Sequence, residues 1–341
     1  MTINFKSDTV TKPSEAMLQY MFQAEVGDDV FGDDPTVKAL EEKIATMFAH
    51  EAALFCPSGT MSNQIAIGIN TQSLDEIICD NFAHIYWSET GGYAHNSRVS
   101  IRLIPTTNGI LTPELIEKNI NANYDWQAHT SWVSIENTGN KTGGNYYSLE
   151  EMKAISHFCR QNNLKLHLDG ARIFNAIVEN NYSTLDIGNL FDTISVCFSK
   201  GLGAPIGSAL IGNKKDIEKA RRLRKVMGGG MRQVGYLAAA CIYALENNIS
   251  LLKQDHIHAK LLAQSIQKCY FTKQILPVKT NIVIAEIHDT YNPVSIVEKL
   301  EKNGVLCVPF GGNTIRWVTH LDITSKHLEN ALQILESFHT I

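Results

Sequence analysis

The stretch LKLHLDGAR, Leu164 to Arg172, decides the fold class. It reads as a buried strand that ends in Asp169 and gives way at once to Gly170, Ala171 and Arg172. On its N-terminal side lie a β-rich run, Trp132 to Ile135, and a helical pattern near Leu149 to Asn162; on its C-terminal side lies another β-rich run, Thr193 to Phe198. Such alternation predicts an α/β fold with a mainly parallel sheet covered by helices. Further strands are expected at Gly207 to Ile211 and Asn281 to Ile287. Nearer the start, Asp34 and Pro35 supply an N-cap and a first-turn proline, followed by Val37, Leu40, Ile44 and Met47 at helical spacing. Lys38, Glu41, Glu42 and Lys43 are the expected wet face of that helix. A long helical stretch closes with Tyr236 to Leu245, and the domain change is placed within Glu246 to Ser250. This divides the chain into residues 1–248, an N-terminal arm with a large domain, and 249–341, a smaller C-terminal α+β domain.

Composition narrows the class of protein. The 341 residues are 44% hydrophobic and 19% charged, with 30 basic against 35 acidic side chains and a formal charge of −5. These values belong to a globular chain and exclude disorder and fibrous repeats. Seven scattered cysteines, with no CxxC pair, suggest neither zinc nor a redox dithiol and read as reduced core residues of a cytoplasmic protein. The opening MTINFKSDTVTKP has no apolar stretch of signal-peptide type. The longest apolar run, Tyr236 to Leu245, is about half of the roughly 20 residues a membrane helix needs, so no membrane partner is expected. Mild acidity and mixed charge signs argue against nucleic acid as a partner. The basic run Arg221, Arg222, Arg224 and Lys225 stands apart from that pattern.

Three elements carry chemistry. In open α/β sheets ligands sit at the carboxyl ends of strands, which is where Asp169 falls; a helix N-cap is its bland alternative. TISVCF, a second strand, ends in Ser199, Lys200, Gly201, Leu202 and Gly203. The apolar strand before Lys200 and the glycines after it favour a desolvated amine, a nucleophile able to form a Schiff base, over a surface charge. Third, Pro57, Ser58, Gly59 and Thr60 form a small turn opening a helix, whose free N–H groups and positive dipole end suit a phosphate. A phosphate turn, a strand-end acid and a strand-end lysine together describe a site for pyridoxal 5'-phosphate.

With these residues in view, the sequence resembles the low-specificity L-threonine aldolases, in the threonine aldolase and beta-eliminating lyase family of the pyridoxal-phosphate-dependent, aspartate aminotransferase-like fold. The resemblance runs through SDTVTKP (7–13), EVGDDVFGDDP (25–35), EAALFCPSGTMSN (51–63), HLDGARIFNA (167–176), SVCFSKGLGAPIGS (195–208) and RRLRKVMGGGMRQ (221–233). It implies retro-aldol cleavage of L-threonine or L-allo-threonine to glycine and acetaldehyde. It also implies roles: Lys200 for the lysine that holds the cofactor, Asp169 for the acid facing the pyridine nitrogen, and His84, in HIYWSETGG, for the histidine stacked on the ring and near the substrate hydroxyl. Viewed without the family, a lone histidine such as His84 is more often structural. Ser58, Gly59, Thr60 and Arg172 are implied on the cofactor side, with Lys225 and Arg232 on a glycine loop near its phosphate. Ser7, Arg172 and Arg316 match the groups that hold the substrate carboxylate; the planar fork of arginine suits that task. In the family the glycine loop reaches a neighbouring subunit, so a homo-oligomer with shared sites, a dimer or a homotetramer, is implied.

The chain also departs from the pattern. Gly139 follows Glu136, Asn137 and Thr138 where many members have histidine, and Asn140 to Tyr147 is rewritten. His129, upstream of Glu136, is either a substitute for a second active-site histidine or a loop residue. Among competing readings, GLGAPIG (201–207) fails as a dinucleotide fingerprint by one residue of spacing and by Pro205. His167 and Asp169 form the HxD half of an iron triad, with His256 or His258 as third ligand, but that site needs a jelly-roll, and no metal is expected. Elimination, racemisation or transamination on the same scaffold remains the alternative chemistry, because sequence constrains the cofactor better than the bond broken.

Overall fold

The computed structural model describes residues 2–180 and 182–339. The LKLHLDGAR stretch occupies the middle of a seven-stranded sheet. In chain order its strands are β1 (Ala52–Cys56), β2 (Asp75–Asp80), β3 (Ser100–Ile104), β4 (His129–Glu136), β5 (Lys165–Gly170), β6 (Thr193–Cys197) and β7 (Ser208–Gly212). The spatial order is β1-β7-β6-β5-β4-β2-β3. β3, β2, β4, β5 and β6 run parallel, and β7 is antiparallel to both of its neighbours. Every residue of β6 and β7 is buried, as expected where helices cover both faces of a sheet. The register places Glu136 beside Asp169 and Asp169 beside Ser195, so three polar side chains line up at the sheet's carboxyl edge.

The helix over Pro35–Met47 begins where its sequence indicates. Asp34 Oδ1 accepts from the Thr36 and Val37 amides at 3.1 and 3.0 Å, while Oδ2 accepts from Gly27 and Gly235 at 3.2 and 2.9 Å. One expectation for this helix is corrected: Glu41 is not on a wet face. It is buried, its Oε1 accepts the Phe55 amide of β1 at 2.9 Å, and Arg221 pairs with it. Burial pushes its carboxyl up despite the neighbouring Arg221 charge. Apolar spacing cannot show that a helix face meets the polar edge of a strand.

A four-stranded antiparallel sheet follows, with β8 (Thr272–Ile275), β9 (Ile282–Ile287), β10 (Val308–Pro309) and β11 (Thr314–Val318) in the order β10-β11-β9-β8. The helices Leu252–Ile266 and Ser325–Glu336 pack with it around a second core that contains Phe271 and Trp317. Ile3 and Phe5 belong to this core too, because Ile3–Asn4 pairs in parallel with Val305–Leu306. The chain's first residues are thereby tied to its last hundred, and the segment after them, Ser7 to Val10, is held over the carboxyl edge of the large sheet by Asp8, whose carboxylate grips Arg172.

Candidate active site

A cavity of about 200 Å³ opens at that carboxyl edge. Ser58, Gly59 and Thr60 line one side, Asp169 and Lys200 another, and His84 a third. Six of the residues read from sequence as chemical are therefore brought to one space. Lys200 follows β6, and its charge is felt at Asp8. Asp169 is the last residue but one of β5, where Asn63 Nδ2 donates to Oδ2 at 2.8 Å and the Ala171 amide donates to Oδ1 at 3.1 Å. It is not a helix cap: the next helix, Ile173–Glu179, starts after Arg172 and has no side-chain cap.

The phosphate turn is formed by the start of the helix Gly59–Asn70. Ser58 caps it, accepting the Met61 amide at 3.2 Å. The amides of Gly59 and Thr60 donate to no acceptor among the described residues, which leaves two N–H groups and the dipole end directed at the cavity. Gly59 is required by close approach: a Cβ there would lie 2.6 Å from Cys197 Sγ. These features fit pyridoxal phosphate: donors for an anion at one end, an acid at another, an amine between.

Sequence reasoning missed the shell that orients His84. Its Nδ1 lies 2.9 Å from Glu89 Oε1, and Glu89 also accepts from Asn63 at 2.9 Å and Gln64 at 2.7 Å. Burial alone would lower the imidazole, but the Glu89 hydrogen bond and the charges of Asp169 and Glu136 outweigh it and hold His84 above its ordinary value. Glu136 is a second omission. Its Oε2 accepts the His84 amide and its Oε1 the Asn140 amide, each at 2.9 Å. Desolvation, then the Asp169 charge, push Glu136 up to about 7. Glu89 lies within SETGG and Glu136 heads the ENT tripeptide, but neither shows its partners in the sequence.

The carboxylate-holding residues form an adjoining cluster. Arg172 is buried and bidentate with Asp8, Nε to Oδ2 and Nη2 to Oδ1, both 2.7 Å. Burial would raise Asp8, but the Arg172 charge overrides it and holds the acid well below the usual carboxylate range. Arg316, from β11, donates from Nη1 to Asn140 Oδ1 at 2.9 Å and from Nη2 to the Lys6 carbonyl at 3.0 Å. Burial and the facing Arg172 charge lower Arg316 to about 10. Asp8 neutralises Arg172, whereas no carboxylate is hydrogen-bonded to Arg316 among the described residues, which leaves Arg316 as the cation open to an anion. Ser7 Oγ accepts the Thr9 amide at 3.2 Å and sits beside Asp8.

Ser7, Arg172 and Arg316 adjoin this cavity without lining it, while Lys225, which is exposed, Arg232 and His129 are not brought to it. Arg232 pairs with Asp28 at 2.9 Å and lies over the Phe31 ring, on the surface. His129 opens β4 at the end opposite Glu136, about 20 Å away at the rise of an extended strand, so it is no substitute for a second active-site histidine. Asn140 stands where that loop meets Arg316. His167 has both ring nitrogens engaged, by Thr193 at 2.8 Å and Asn63 at 3.2 Å, and burial lowers it to about 4.

Comparison with known proteins gives consistent relatives. The family model for beta-eliminating lyases matches residues 4–290. The low specificity L-threonine aldolase of Escherichia coli (strain K12) is 39% identical over 96% of this chain and 96% of its own length. The low-specificity L-threonine aldolase 1 of Arabidopsis thaliana is 36% identical over 98% of this chain and 96% of its own. A solved threonine aldolase from Leishmania major shares the fold, with a TM-score of 0.84 at 22% identity, covering 98% of this chain and 99% of that one.

Proposed function

The chain belongs to the beta-eliminating lyase family, and on that premise we propose that it is a pyridoxal-phosphate-dependent aldehyde-lyase that cleaves L-threonine and L-allo-threonine to glycine and acetaldehyde. The observation that carries this reading is the meeting of Lys200, Asp169, His84 and the Gly59 helix end on one cavity. Bound there, pyridoxal phosphate supplies an aldehyde that condenses with amines and a ring that delocalises an electron pair released from Cα. Lys200 would hold the cofactor through its amine, and Asp169 would pair with its ring nitrogen. The Gly59 and Thr60 amides and the Ser58 turn take the phosphate.

Arg172, Arg316 and Ser7 fix the substrate carboxylate, and that choice of orientation selects which Cα bond is broken. His84 removes the β-hydroxyl proton. The Cα–Cβ bond breaks, the β-carbon leaves as an aldehyde, and a proton returned to Cα completes glycine. The Glu89 contact at Nδ1 leaves Nε2 as the ring nitrogen for that proton. Orientation alone accounts for roughly 7 to 11 kcal/mol of barrier in well-aligned reactions.

The surface supports a homo-oligomer, a dimer or tetramer, with shared sites. Phe31 and Val226 are 76% and 85% exposed, and Arg232, paired with Asp28 and lying beside Phe31, stands away from its own chain's cavity. Seven unpaired, buried cysteines support a cytoplasmic location, and no helix among the described residues is long and apolar enough to cross a membrane.

The deciding experiment is an absorbance spectrum of the purified protein, followed by L-threonine and L-allo-threonine with acetaldehyde detection. A visible cofactor band with acetaldehyde supports the reading and ranks the isomers. The band without acetaldehyde moves the reaction to elimination or racemisation. Absence of a band after added pyridoxal phosphate overturns the reading.

A further inference from the structure

The N-terminal arm carries an acid to the back of the proposed carboxylate clamp. Asp8 opens the short turn Asp8–Val10 and is fully buried. Distant parts of the chain meet on its carboxylate. Arg172 donates to both oxygens, and Asn281, just before β9, donates from Nδ2 to Oδ2 at 3.3 Å. Gly201, the residue after Lys200, passes close enough that a Cβ there would lie 3.8 Å from the same oxygen. Asp8 therefore lies against both the arginine and the turn that carries the lysine.

The clamp has donors left over. Nε and Nη2 of Arg172 are taken by Asp8, and Nη1 has no acceptor among the described residues. In Arg316, Nη1 and Nη2 are taken by Asn140 and Lys6, while Nε is buried without a partner. Each guanidinium thus keeps an N–H for an acceptor that the chain does not supply. Its charge is more restricted. Burial would raise Asp8, but the Arg172 charge and hydrogen bonds keep it ionised. No other carboxylate is hydrogen-bonded to either arginine among the described residues: burial pushes the neighbouring Asp255 up to about 8, so it keeps its proton at neutral pH, and Glu136, whose charge is felt at Arg172, has its oxygens on the His84 and Asn140 amides. Lys200 is felt at Asp8, but its amine is the one assigned to the cofactor. Two guanidinium charges and one carboxylate leave the clamp a single net positive charge.

We propose that Asp8 is a specificity-determining residue: by cancelling one arginine charge it matches the clamp to a singly charged acid group and turns away doubly charged ones, so that α-amino carboxylates bind and α-aminophosphonates do not. The physical reason lies in desolvation, which rises with the square of a group's charge while attraction to the clamp rises only in proportion. A buried site with one net charge therefore favours the monoanion, and one with two would favour the dianion. The two anion sites then differ in kind. The Gly59 helix end takes the cofactor phosphate and the clamp takes the substrate carboxylate, with each disfavoured in the other's place. This inference rests on the reading above, since it needs Arg172 and Arg316 to hold the substrate's acid group.

The test is calorimetric titration of the holoenzyme with glycine and with aminomethylphosphonate, whose acid group takes its second charge near about pH 6, as phosphate monoesters do. The two ligands differ in shape by the same amount in every variant, so a change in the ratio of their dissociation constants reports charge, and a general loss of affinity does not move it. At pH 8 the wild type should favour glycine by about tenfold. Asp8→Asn should move the ratio about tenfold toward the phosphonate, the scale of one charge-assisted contact. Arg316→Gln should move it the other way, and the two substitutions together should return it to near the wild-type value. The wild type alone gives a further reading that does not depend on how Asp8→Asn folds: between pH 5 and pH 8 phosphonate affinity relative to glycine should fall. A ratio equal in wild type and Asp8→Asn, or a relative gain for the phosphonate in wild type over that pH range, overturns this inference and leaves the aldolase reading standing. No binding of glycine, the proposed product, to the wild type overturns both.

Discussion

At Glu136 two backbone amides meet one carboxylate, and that places a single side chain between the proposed base and the proposed carboxylate clamp. One oxygen fixes the start of the His84 segment; the other fixes Asn140, which in turn holds Arg316. Glu136 thus acts through its neighbours and is a positioning residue, whereas His84 is the proposed base. The two are separable by kinetics. His84→Asn should lower kcat for threonine about 10² to 10⁴-fold and leave KM within about threefold, because only proton transfer is removed. Glu136→Gln sets an amide NH₂ against a backbone N–H, displaces the Asn140 side of the site, and should raise KM about tenfold as well as lower kcat. Equal KM values in wild type and Glu136→Gln would show that the two ends of the site are set independently. None of this was visible in the tripeptide Glu136-Asn137-Thr138, since its meaning lies in amides 52 residues before it and 4 after.

The element that matters most is the helix Gly59–Asn70, because its first turn supplies the anion donors and its second presents Asn63 to Asp169 and Glu89. Gly59→Ala puts a methyl 2.6 Å from Cys197 Sγ and displaces the helix start. Pyridoxal phosphate binding to the apoprotein should weaken about tenfold, the scale of losing a helix-end interaction, as read by cofactor titration. The helix Pro35–Met47 is anchored differently, by one cap that also binds two distant amides, so Asp34→Ala should destabilise by about 2 to 4 kcal/mol, more than an ordinary cap, in urea unfolding. Both helix starts were legible in sequence from capping chemistry alone: Ser58-Gly59 and Asp34-Pro35. The strands leading to Asp169 and Lys200 were legible from a different local signal, their short β-rich apolar runs. The antiparallel return of β7, the buried acid Glu41 and the Glu89 shell were not, since each depends on partners brought close only by the finished fold.

Across the whole molecule, buried acids set how stability changes with pH. Asp255, on the helix Leu252–Ile266, is buried, its Oδ2 has no hydrogen-bond partner, and burial, reinforced by the Asp8 charge, pushes its carboxyl up to about 8. The folded chain then keeps a proton that the unfolded chain releases near pH 4, so this group's contribution falls with every step of pH from about 4 to about 8 and is constant beyond. Asp255→Asn removes the dependence and should gain at least about 1 kcal/mol on wild type in urea unfolding at pH 8 over its difference at pH 4.5. A pH-independent difference would mean the acid is ionised in the fold. The N-terminal arm bridges long distances in sequence: Asp8 reaches Arg172, 164 residues on, and the Lys6 carbonyl reaches Arg316, 310 residues on. Time enters here. A ribosome adding roughly 5 to 20 residues each second takes roughly 15 to 60 s to deliver the second of those partners after the first residues have left the tunnel. Late in that interval the nascent chain has Arg172 for Asp8 to grip but lacks Arg316, half of the proposed carboxylate clamp, so the proposed site is completed only when the last part of the chain arrives.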